Sequence, residues 1–313
     1  MINKNILITG GLGFIGSKLA KHLAKNAYAV SVIDNEFRWS LNSQNNLLSE
    51  LGINVTIGDI NDKKLINELV AINPTVIHLA GVSQVITSIN HPEICFKNNI
   101  LGTQTVVDAC RNHDSRIIFS SSREIYGSQS NLPVKICCNY NPENYYGASK
   151  VFGECLIRAY GKSHGLKYSI LRFSNVYGSG DKDRVIPIFI NRARKNQSIA
   201  IYGNSKIIDF INICDAVDAV QRVVELNDLS AILNIGSGSS ETLSNLAHLI
   251  KTLTLSNSEI EILPERHGEV DKFFADISIT TEKIDWRPKI SLREGIKTII
   301  DSESEIHLNV TGY

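Results

Sequence analysis

The stretch TGGLGFIG, residues 9–16, joins an apolar run at residues 6–8 to a segment in which apolar residues recur at helical spacing. Its three spaced glycines permit a tight turn, close approach of the backbone to a pyrophosphate, and close packing of the helix on the strand. The start of such a helix also offers free N–H groups and a positive dipole end to phosphates. The stretch therefore predicts a dinucleotide-binding turn between a first strand and a first helix.

The alternation of strand and helix continues along the first half of the chain. Runs rich in β-branched residues predict strands, and apolar residues three or four apart predict helices. The predicted strands are residues 6–9, 30–34, 55–57, 76–80, 116–120 and 168–173, and the predicted helices include residues 62–71, 92–113 and 145–164. Strands separated by helices of this length indicate parallel βαβ units, so we expect an α/β fold with a doubly wound parallel Rossmann sheet.

An acidic residue ends the second predicted strand, eighteen positions after the last glycine of the turn. A carboxylate at Asp34 is placed to accept hydrogen bonds from both ribose hydroxyls of an adenosine, and it would repel a 2′-phosphate. No cation stands directly beside it, and Arg38 is four residues further on. The sequence therefore favours NAD over NADP. Asp59, after the third strand, has two interpretations, as a ligand of the adenine amino group or as a solvated loop residue.

After about Val176 the predicted elements become shorter and turns become more frequent. We interpret this half as a smaller C-terminal α/β region that supplies the substrate pocket. The expected division is an NAD-binding Rossmann domain over residues 1–175 and about 206–235, with a nucleotide-sugar substrate domain over residues 176–205 and 236–313. The substrate class in this division follows from the resemblance described below.

Composition limits the expected partners. The 313 residues carry 32 basic and 32 acidic side chains without a basic stripe, so binding of nucleic acid, which relies on clustered Lys and Arg, is not expected. We see no secretory signal and no apolar run of about 18 residues, so we expect no export and no membrane span. The six cysteines lack the paired spacing of a zinc site, which indicates reduced thiols in a cytoplasmic protein without a metal.

A tyrosine and a lysine four residues apart stand at the start of the helix predicted over residues 145–164. Tyr146 and Lys150 share one helix face, and an ammonium beside a phenol favours the phenolate and lowers its pKa. A phenol tuned in this way can accept the proton of a substrate hydroxyl while hydride leaves the same carbon. The preceding strand ends in three serines, residues 120–122. Glu124 follows, either as a candidate acid or base or as an ordinary loop carboxylate or partner of Arg123. In a parallel sheet, ligands bind at these carboxyl ends of strands.

In their order along the chain, these motifs resemble the extended short-chain dehydrogenase/reductases, in particular the nucleotide-sugar epimerases and dehydratases. The matching segments are TGxxGxxG at residues 9–16, HLAG at 78–81, NILGT at 99–103, SSS at 120–122 with YG at 126–127, YxxxK at 146–150, LRFSNVYG at 171–178, DFINICD at 209–215, RHGE at 266–269 and WRP at 286–288. The resemblance implies an enzyme that uses NAD to oxidise C4 of a nucleotide-diphosphate sugar. It also implies a homodimer formed through residues 92–113 and 145–164.

The resemblance further implies a role for each matching residue. Tyr146 would be the base at the C4 hydroxyl, Lys150 would hold the nicotinamide ribose, and Ser122 would bind the C4 oxygen. The expected cofactor contacts are Gly10, Gly13, Phe14, Ile15, Gly16, Asp34, Asn35, Asp59, Ile60, Leu79, Ala80, Gly81, Asn99, Ser120, Tyr146 and Lys150. The expected substrate contacts are Ser83, Ser122, Arg123, Asn175, Arg184 and Arg266, the last as a guanidinium fork on the diphosphate.

The chain departs from the family pattern at a phosphate contact. Members of the family often carry an arginine directly before the Asp-Phe pair, and this chain has Ile208 there. Lys206 and Arg184 are the cations expected to compensate for it, unless the nucleotide sits differently.

A second departure leaves the fate of the 4-ketone open. The chain keeps Glu124, a potential base for the C5 proton, but has Arg123 where dehydratases carry an acid. We therefore expect return of the hydride to the other face of the sugar, which is 4-epimerisation. The alternatives are a 4-dehydrogenase that releases the 4-keto sugar, a 4,6-dehydratase, a decarboxylase and a ketosugar reductase. A non-catalytic dinucleotide sensor is the alternative of a different class.

Overall fold

A seven-stranded parallel sheet organises the part of the chain that the computed structural model describes, residues 4–37, 47–203 and 205–310, with side chains to residue 302. Its strands are β1 (Asn5–Thr9), β2 (Ala29–Asp34), β3 (Asn54–Ile57), β4 (Thr75–His78), β5 (Arg116–Ser122), β6 (Tyr168–Phe173) and β11 (Ala231–Ile235). Their spatial order, β11-β6-β5-β4-β1-β2-β3, changes direction between β1 and β4, where doubly wound sheets bind ligands. The predicted doubly wound Rossmann sheet is confirmed.

Helices cover both faces of this sheet. On one face pack α1 (Phe14–Lys25), α8 (Ile213–Glu225) and α10 (Ser278–Ile284), and on the other pack α2 (Lys63–Ala71), α5 (Gly102–Asn112) and α6 (Tyr145–His164). Successive strand residues point to opposite faces, and both faces are apolar. Ile6 and Ile8 of β1 join one buried cluster while Leu7 joins the other. This two-sided burial explains why the strands are continuous apolar runs rather than alternating ones.

The single helix predicted over residues 92–113 is divided in the structure. After α3 (Val85–Asn90), the short α4 (Pro92–Cys95) passes into a π-helical segment, Phe96–Leu101, before α5 begins. Within the π segment, the Asn99 amide accepts from the Val82 N–H at 2.7 Å and donates to the Val82 carbonyl at 2.9 Å. A pattern with a period of 3.6 does not reveal a π turn, which is rare and often occurs at functional sites.

A third apolar cluster lies outside the sheet and is built by later segments. In it α7 (Val185–Arg194), α9 (Leu243–Thr254) and α11 (Leu292–Val310) pack around the parallel pair β8 (Ile199–Tyr202) and β13 (Ile260–Leu263). The remaining pairs are β7 (Asn175–Tyr177) with β10 (Phe210–Asn212), and β9 (Ile207–Ile208) with β12 (Glu241–Thr242). None of the helices in the described ranges is long and apolar enough to cross a membrane.

A buried ion pair joins α6 to β6. Arg172 donates to both oxygens of Glu154, through Nε at 2.9 Å and Nη2 at 2.7 Å, and both side chains are enclosed. Ser121 and Tyr140 donate to the same carboxylate, at 2.5 and 2.9 Å. These bonds fix the middle of α6 against the carboxyl half of the sheet, which holds the first turns of that helix in place.

We expect Glu154→Gln to lower the free energy of unfolding by about 3–5 kcal/mol, because the Arg172 guanidinium stays buried without its counter-ion. Urea denaturation followed by circular dichroism measures this loss. The matched control is Glu225→Gln, which breaks the exposed pair with Arg222 and should cost less than about 1 kcal/mol. Equal losses in the two variants would show that other contacts hold α6 in place.

Candidate active site

A cavity of about 740 Å³ opens at the carboxyl ends of the central strands and extends to the third apolar cluster. Its wall includes most of the residues predicted from the sequence, namely Gly10, Gly13, Phe14, Ile15, Gly16, Asp34, Asn35, Ile60, Leu79, Ala80, Gly81, Ser83, Ser120, Ser122, Arg123, Glu124, Tyr146, Lys150, Asn175, Arg184 and Arg266. The described residues contain no group of three or more His, Cys, Asp or Glu side chains that could hold a metal ion.

The glycine turn between β1 and α1 forms one end of the cavity. Gly10 has a left-handed backbone with φ of 71°, and a Cβ there would come within 2.8 Å of the Ala80 nitrogen. A Cβ at Gly16 would overlap the carbonyl oxygen of Gly10. Gly13 is the N-cap of α1, and no side chain caps this helix start within the described residues. The exposed N–H groups and the helix dipole suit an anion such as a pyrophosphate.

Asp34 stands at the end of β2, beside the glycine turn. Its Oδ2 accepts from the Leu12 N–H at 3.0 Å, and its Oδ1 accepts from the Glu36 N–H at 2.9 Å. Burial raises the pKa of Asp34 above its usual value, and these backbone bonds oppose the rise only in part. The bonds fix the carboxylate at the cavity wall, where each oxygen retains a lone pair for a ligand hydroxyl. Arg38 lies outside the described residues.

Two of the expected cofactor residues are not brought to the cavity wall. Asp59 accepts from the Asn61 N–H at 2.9 Å, and its carboxylate lies 3.7 Å from the Lys97 ammonium of the π-helical segment. Asn99 is buried behind the residues that line the cavity, and its amide bonds to the backbone of Val82. Both residues therefore hold neighbouring segments in place, and their contacts with a cofactor stay predictions.

Tyr146 and Lys150 occupy the cavity face of the first turns of α6. The Lys150 ammonium donates to the Ser120 carbonyl at 2.7 Å and lies 5.8 Å from the centre of the Tyr146 ring. The helix begins at its N-cap, Asn144, whose Oδ1 accepts from the Gly147 N–H at 2.8 Å. The cap and the carbonyl together set the position of both functional side chains relative to β5.

The expected lowering of the Tyr146 pKa by Lys150 is wrong for this structure. Burial raises the pKa of Tyr146, and the hydrogen bond with the Ser122 hydroxyl and the charge of Arg184 offset only part of the rise. Burial also lowers the pKa of Lys150, to about 8. Burial therefore moves each of the two groups toward its neutral form.

Glu124 is buried in the same wall, and both of its carboxylate oxygens are engaged. Arg123 Nη2 lies 2.9 Å from Oε1, and Asn144 Nδ2 donates to Oε2 at 2.8 Å. The same Asn144 amide donates to the Gly268 carbonyl at 2.9 Å, which ties the acid to the segment that carries Arg266. Our sequence analysis did not single out Asn144, although asparagine directly before a helix is a known N-cap signal.

Cations line the far end of the cavity. The guanidinium of Arg266 stacks on Tyr202, 3.5 Å from the ring centre, and lies 3.6 Å from the Glu269 carboxylate. Lys206 is buried and forms an ion pair with the same carboxylate, while Ile208 presents an apolar side chain to the wall. Two cations thus share one acid at this end, which leaves a positive charge for a phosphate-bearing ligand.

Arg184 and Asn175 complete the wall between the two ends. Arg184 donates to the Val176 carbonyl at 3.1 Å, and its guanidinium lies 5.8 Å from the centre of the Phe14 ring. Asn175 donates to the Asp209 carbonyl at 3.4 Å. Backbone carbonyls thus hold both side chains at the cavity wall.

Comparison with known proteins shows similarity along nearly the whole chain. The model of the NAD dependent epimerase/dehydratase family matches residues 6–236. A protein of Methanocaldococcus jannaschii, provisionally named a UDP-glucose 4-epimerase, is 34% identical over 303 residues, which cover 95% of this chain and 97% of the relative. Relatives named dTDP-glucose 4,6-dehydratase and UDP-glucuronic acid decarboxylase also match, over 95% and 98% of this chain.

Two solved structures have the same fold. The UDP-glucose 4-epimerase of Thermotoga maritima, solved with UDP-glucose, gives a TM-score of 0.90 at 29% identity and covers 97% of this chain and 99% of its own. The UDP-glucuronic acid 4-epimerase of Bacillus cereus, solved with UDP-glucuronic acid and NAD, gives a TM-score of 0.90 at 26% identity, with coverage of 96% and 99%.

We expect Lys150→Met to raise the free energy of unfolding of the cofactor-free protein at pH 7 by about 1–3 kcal/mol. Below pH 8 the ammonium is charged in both the folded and the unfolded chain, so its burial is unfavourable. That cost shrinks as the pH rises from the folded value of about 8 toward the unfolded value of 10.5. Urea denaturation at pH 7 and pH 9.5 should therefore show a smaller gain at the higher pH.

The control for this measurement is Lys63→Met, which removes an exposed lysine and should change the free energy of unfolding little at either pH. A loss of stability in Lys150→Met at pH 7 would show instead that the bond to the Ser120 carbonyl outweighs the cost of burial.

Proposed function

This chain belongs to the NAD dependent epimerase/dehydratase family, and we propose that it is a nucleotide-sugar 4-epimerase. The observation that carries the proposal is the meeting of Tyr146, Ser122 and Lys150 in one cavity with the glycine turn and Asp34. Bound NAD supplies the acceptor for the hydride that leaves C4. Return of this hydride to the opposite face of the sugar completes the epimerisation.

The glycine turn and Asp34 support the choice of cofactor. The uncapped start of α1 would hold the pyrophosphate, and the space required is kept free by Gly10 and Gly16. Asp34 would accept from the ribose hydroxyls of the adenosine, and its charge would repel the 2′-phosphate of NADP. The residues present therefore fit NAD.

Tyr146 and Ser122 would act on the C4 oxygen. The Ser122 hydroxyl and the Tyr146 phenol share the cavity wall, so a substrate hydroxyl placed between them would pass its proton to Tyr146 once the phenol has released its own proton to solvent. The Lys150 ammonium lies 5.8 Å from the centre of the ring, where its positive charge would stabilise the phenolate that accepts this proton. The same groups return the proton when the ketone is reduced.

The surroundings of Glu124 favour epimerisation over dehydration. A 4,6-dehydratase requires an acid for the departing C6 hydroxyl and a base for the C5 proton. Arg123 cannot serve as that acid, because a guanidinium does not release its proton in proteins. Glu124 is bonded to Arg123 and Asn144 rather than open to the cavity on both oxygens.

The far end of the cavity supports a nucleoside diphosphate as the carrier of the sugar. Arg266 and Lys206 share only Glu269, so a diphosphate would complete their charge balance. We propose that Lys206 supplies the contact that an arginine makes in relatives and that Ile208 cannot make.

We also propose the organisation of the protein. NAD would bind to residues 1–175 and about 206–235, and residues 176–205 and 236–313 would hold the sugar nucleotide. The exposed apolar side chains Phe96, Leu101 and Tyr145 support a homodimer formed through residues 92–113 and 145–164. We place the protein in the cytoplasm, since its cysteines are free thiols.

To test the proposed function, the purified protein is incubated with UDP-glucose, UDP-glucuronic acid, dTDP-glucose and GDP-mannose, and the products are followed by NMR. We expect a C4 epimer without a lasting rise in the absorbance of reduced nicotinamide. Tyr146→Phe should slow the turnover by about 10²–10⁴-fold, with NAD binding retained, because the proton acceptor is lost. Normal turnover in this variant would remove the phenol from the mechanism.

Other products would identify the alternatives. A stoichiometric rise in absorbance with release of a 4-keto sugar would make the protein a dehydrogenase, and a 4-keto-6-deoxy product would make it a dehydratase. Binding of NAD without any sugar chemistry across the panel would favour the dinucleotide sensor.

We expect Asp34→Ala to weaken NAD binding and to narrow its preference over NADP, because both the ribose acceptor and the repulsive charge are removed. Fluorescence titration with each cofactor measures the two dissociation constants. Asp228→Ala, which removes an exposed acid that pairs with Lys167, is the matched control and should leave their ratio unchanged. An unchanged ratio in Asp34→Ala would assign the preference to another residue.

A further inference from the structure

Glu124 is a carboxylate that 4-epimerisation does not require, yet it lies directly beside the reacting groups. Its N–H donates to the Ser122 hydroxyl oxygen at 3.2 Å, and its charge is close enough to raise the pKa of Tyr146. Its side chain is only 6% exposed and forms part of the cavity wall. A sugar whose C4 oxygen is held by Ser122 and Tyr146 would therefore have this acid as a near neighbour.

Such a neighbouring carboxylate can cause a side reaction once C4 has become a ketone. A ketone makes the hydrogen on the adjacent carbon acidic, and a carboxylate in reach acts as a general base. Glu124 would take the C5 proton, the C5–H electron pair would form a C4–C5 double bond, and the carbonyl pair would move to oxygen. Return of a solvent proton to C5 would then exchange the hydrogen and open a route to the wrong stereoisomer.

Two donors hold this carboxylate in the structure. Arg123 binds Oε1 at 2.9 Å, and its own guanidinium is enclosed and lies 5.9 Å from the centre of the Phe273 ring. Asn144 binds Oε2 at 2.8 Å, and its orientation is set because its other amide atom caps α6. Both donors are thus immobilised by contacts of their own, so they hold the carboxylate in one orientation, and the guanidinium balances its charge.

We propose that Arg123, with Asn144, is a positioning residue that clamps Glu124 as an inert carboxylate, so that the 4-ketone is reduced before its C5 proton is removed. The inference rests on the proposed 4-epimerase function and adds a determinant of reaction outcome to it. Glu124, which the sequence suggests as an acid or base, then transfers no proton in the native chain.

The test is carried out in D₂O with UDP-glucose and with UDP-glucuronic acid, and NMR follows the C4 epimer and the C5 hydrogen separately. The native protein should form the C4 epimer and retain the C5 hydrogen. Arg123→Met should incorporate deuterium at C5 at least about tenfold faster than the native protein, because the base is released. Addition of Glu124→Gln to Arg123→Met should abolish the exchange, and Arg123→Lys should restore part of the protection.

The matched control is Arg222→Met, which removes an arginine that is half exposed and pairs with Glu225 outside the cavity, and which should leave the C5 hydrogen in place. Asn144→Ser provides a second route to the same result. It keeps an oxygen for the N-cap but removes the donor to Glu124, and it should also permit exchange at C5.

The outcomes distinguish the proposed clamp, in which Arg123 and Asn144 hold Glu124, from the proposed 4-epimerase function. Failure of the native protein to change C4 in any of the four sugar nucleotides of the first experiment would overturn the proposed function. Formation of the C4 epimer together with C5 exchange in the native protein would overturn the clamp alone. The clamp would also be overturned if Arg123→Met, or Asn144→Ser where the first variant does not fold, formed the C4 epimer without exchange. A folded Arg123→Met protein that no longer oxidised C4 would assign Arg123 to catalysis instead.

Discussion

The burial of ionisable side chains at the carboxyl edge of the sheet governs the chemistry of this protein. A parallel sheet brings the ends of all its strands to one edge, and the ionisable side chains that follow those ends become buried together. Desolvation penalises every charged form, so it raises the pKa values of Tyr146 and Asp34 and lowers that of Lys150. The neighbouring charges modify these shifts but do not reverse them.

The desolvation penalty is compensated for some of these buried side chains and not for others. Two buried carboxylates, Glu154 and Glu124, each receive an arginine and neutral donors, so their charges are compensated within the fold. Lys150 donates to a backbone carbonyl and lies near the rings of Phe119 and Tyr146, and no carboxylate among the described residues forms an ion pair with it. Uncompensated burial is unfavourable for folding, but it leaves the ammonium available to respond when a phenolate or a ligand appears beside it. The compensated groups serve the architecture, and the uncompensated one is suited to the reaction.

The sequence predicts well those features that are encoded within a few adjacent residues. The glycine turn, the strands and the Tyr146–Lys150 spacing could be found because each depends on local geometry alone. The π-helical segment, the place of Asn99 behind the wall and the engagement of Asp59 with Lys97 could not, because each depends on contacts between distant parts of the chain. The direction of the Tyr146 shift was missed for the same reason. Spacing shows that a lysine is near, but it does not show how much water both groups have lost.

The two departures from the family pattern have a common physical meaning. At Ile208 a cation is absent, and at Arg123 a cation takes the place of an acid, so positive charge stands close to the reacting end of the cavity. At the far end of the cavity Lys206 provides a cation, but its charge and that of Arg266 both pair with the carboxylate of Glu269. Because ion pairs between buried side chains are strong and directional, moving one charge alters which groups remain free to transfer protons. The fold and the Tyr146–Lys150 pair are therefore compatible with several reactions, and the partners of the remaining acids decide between them.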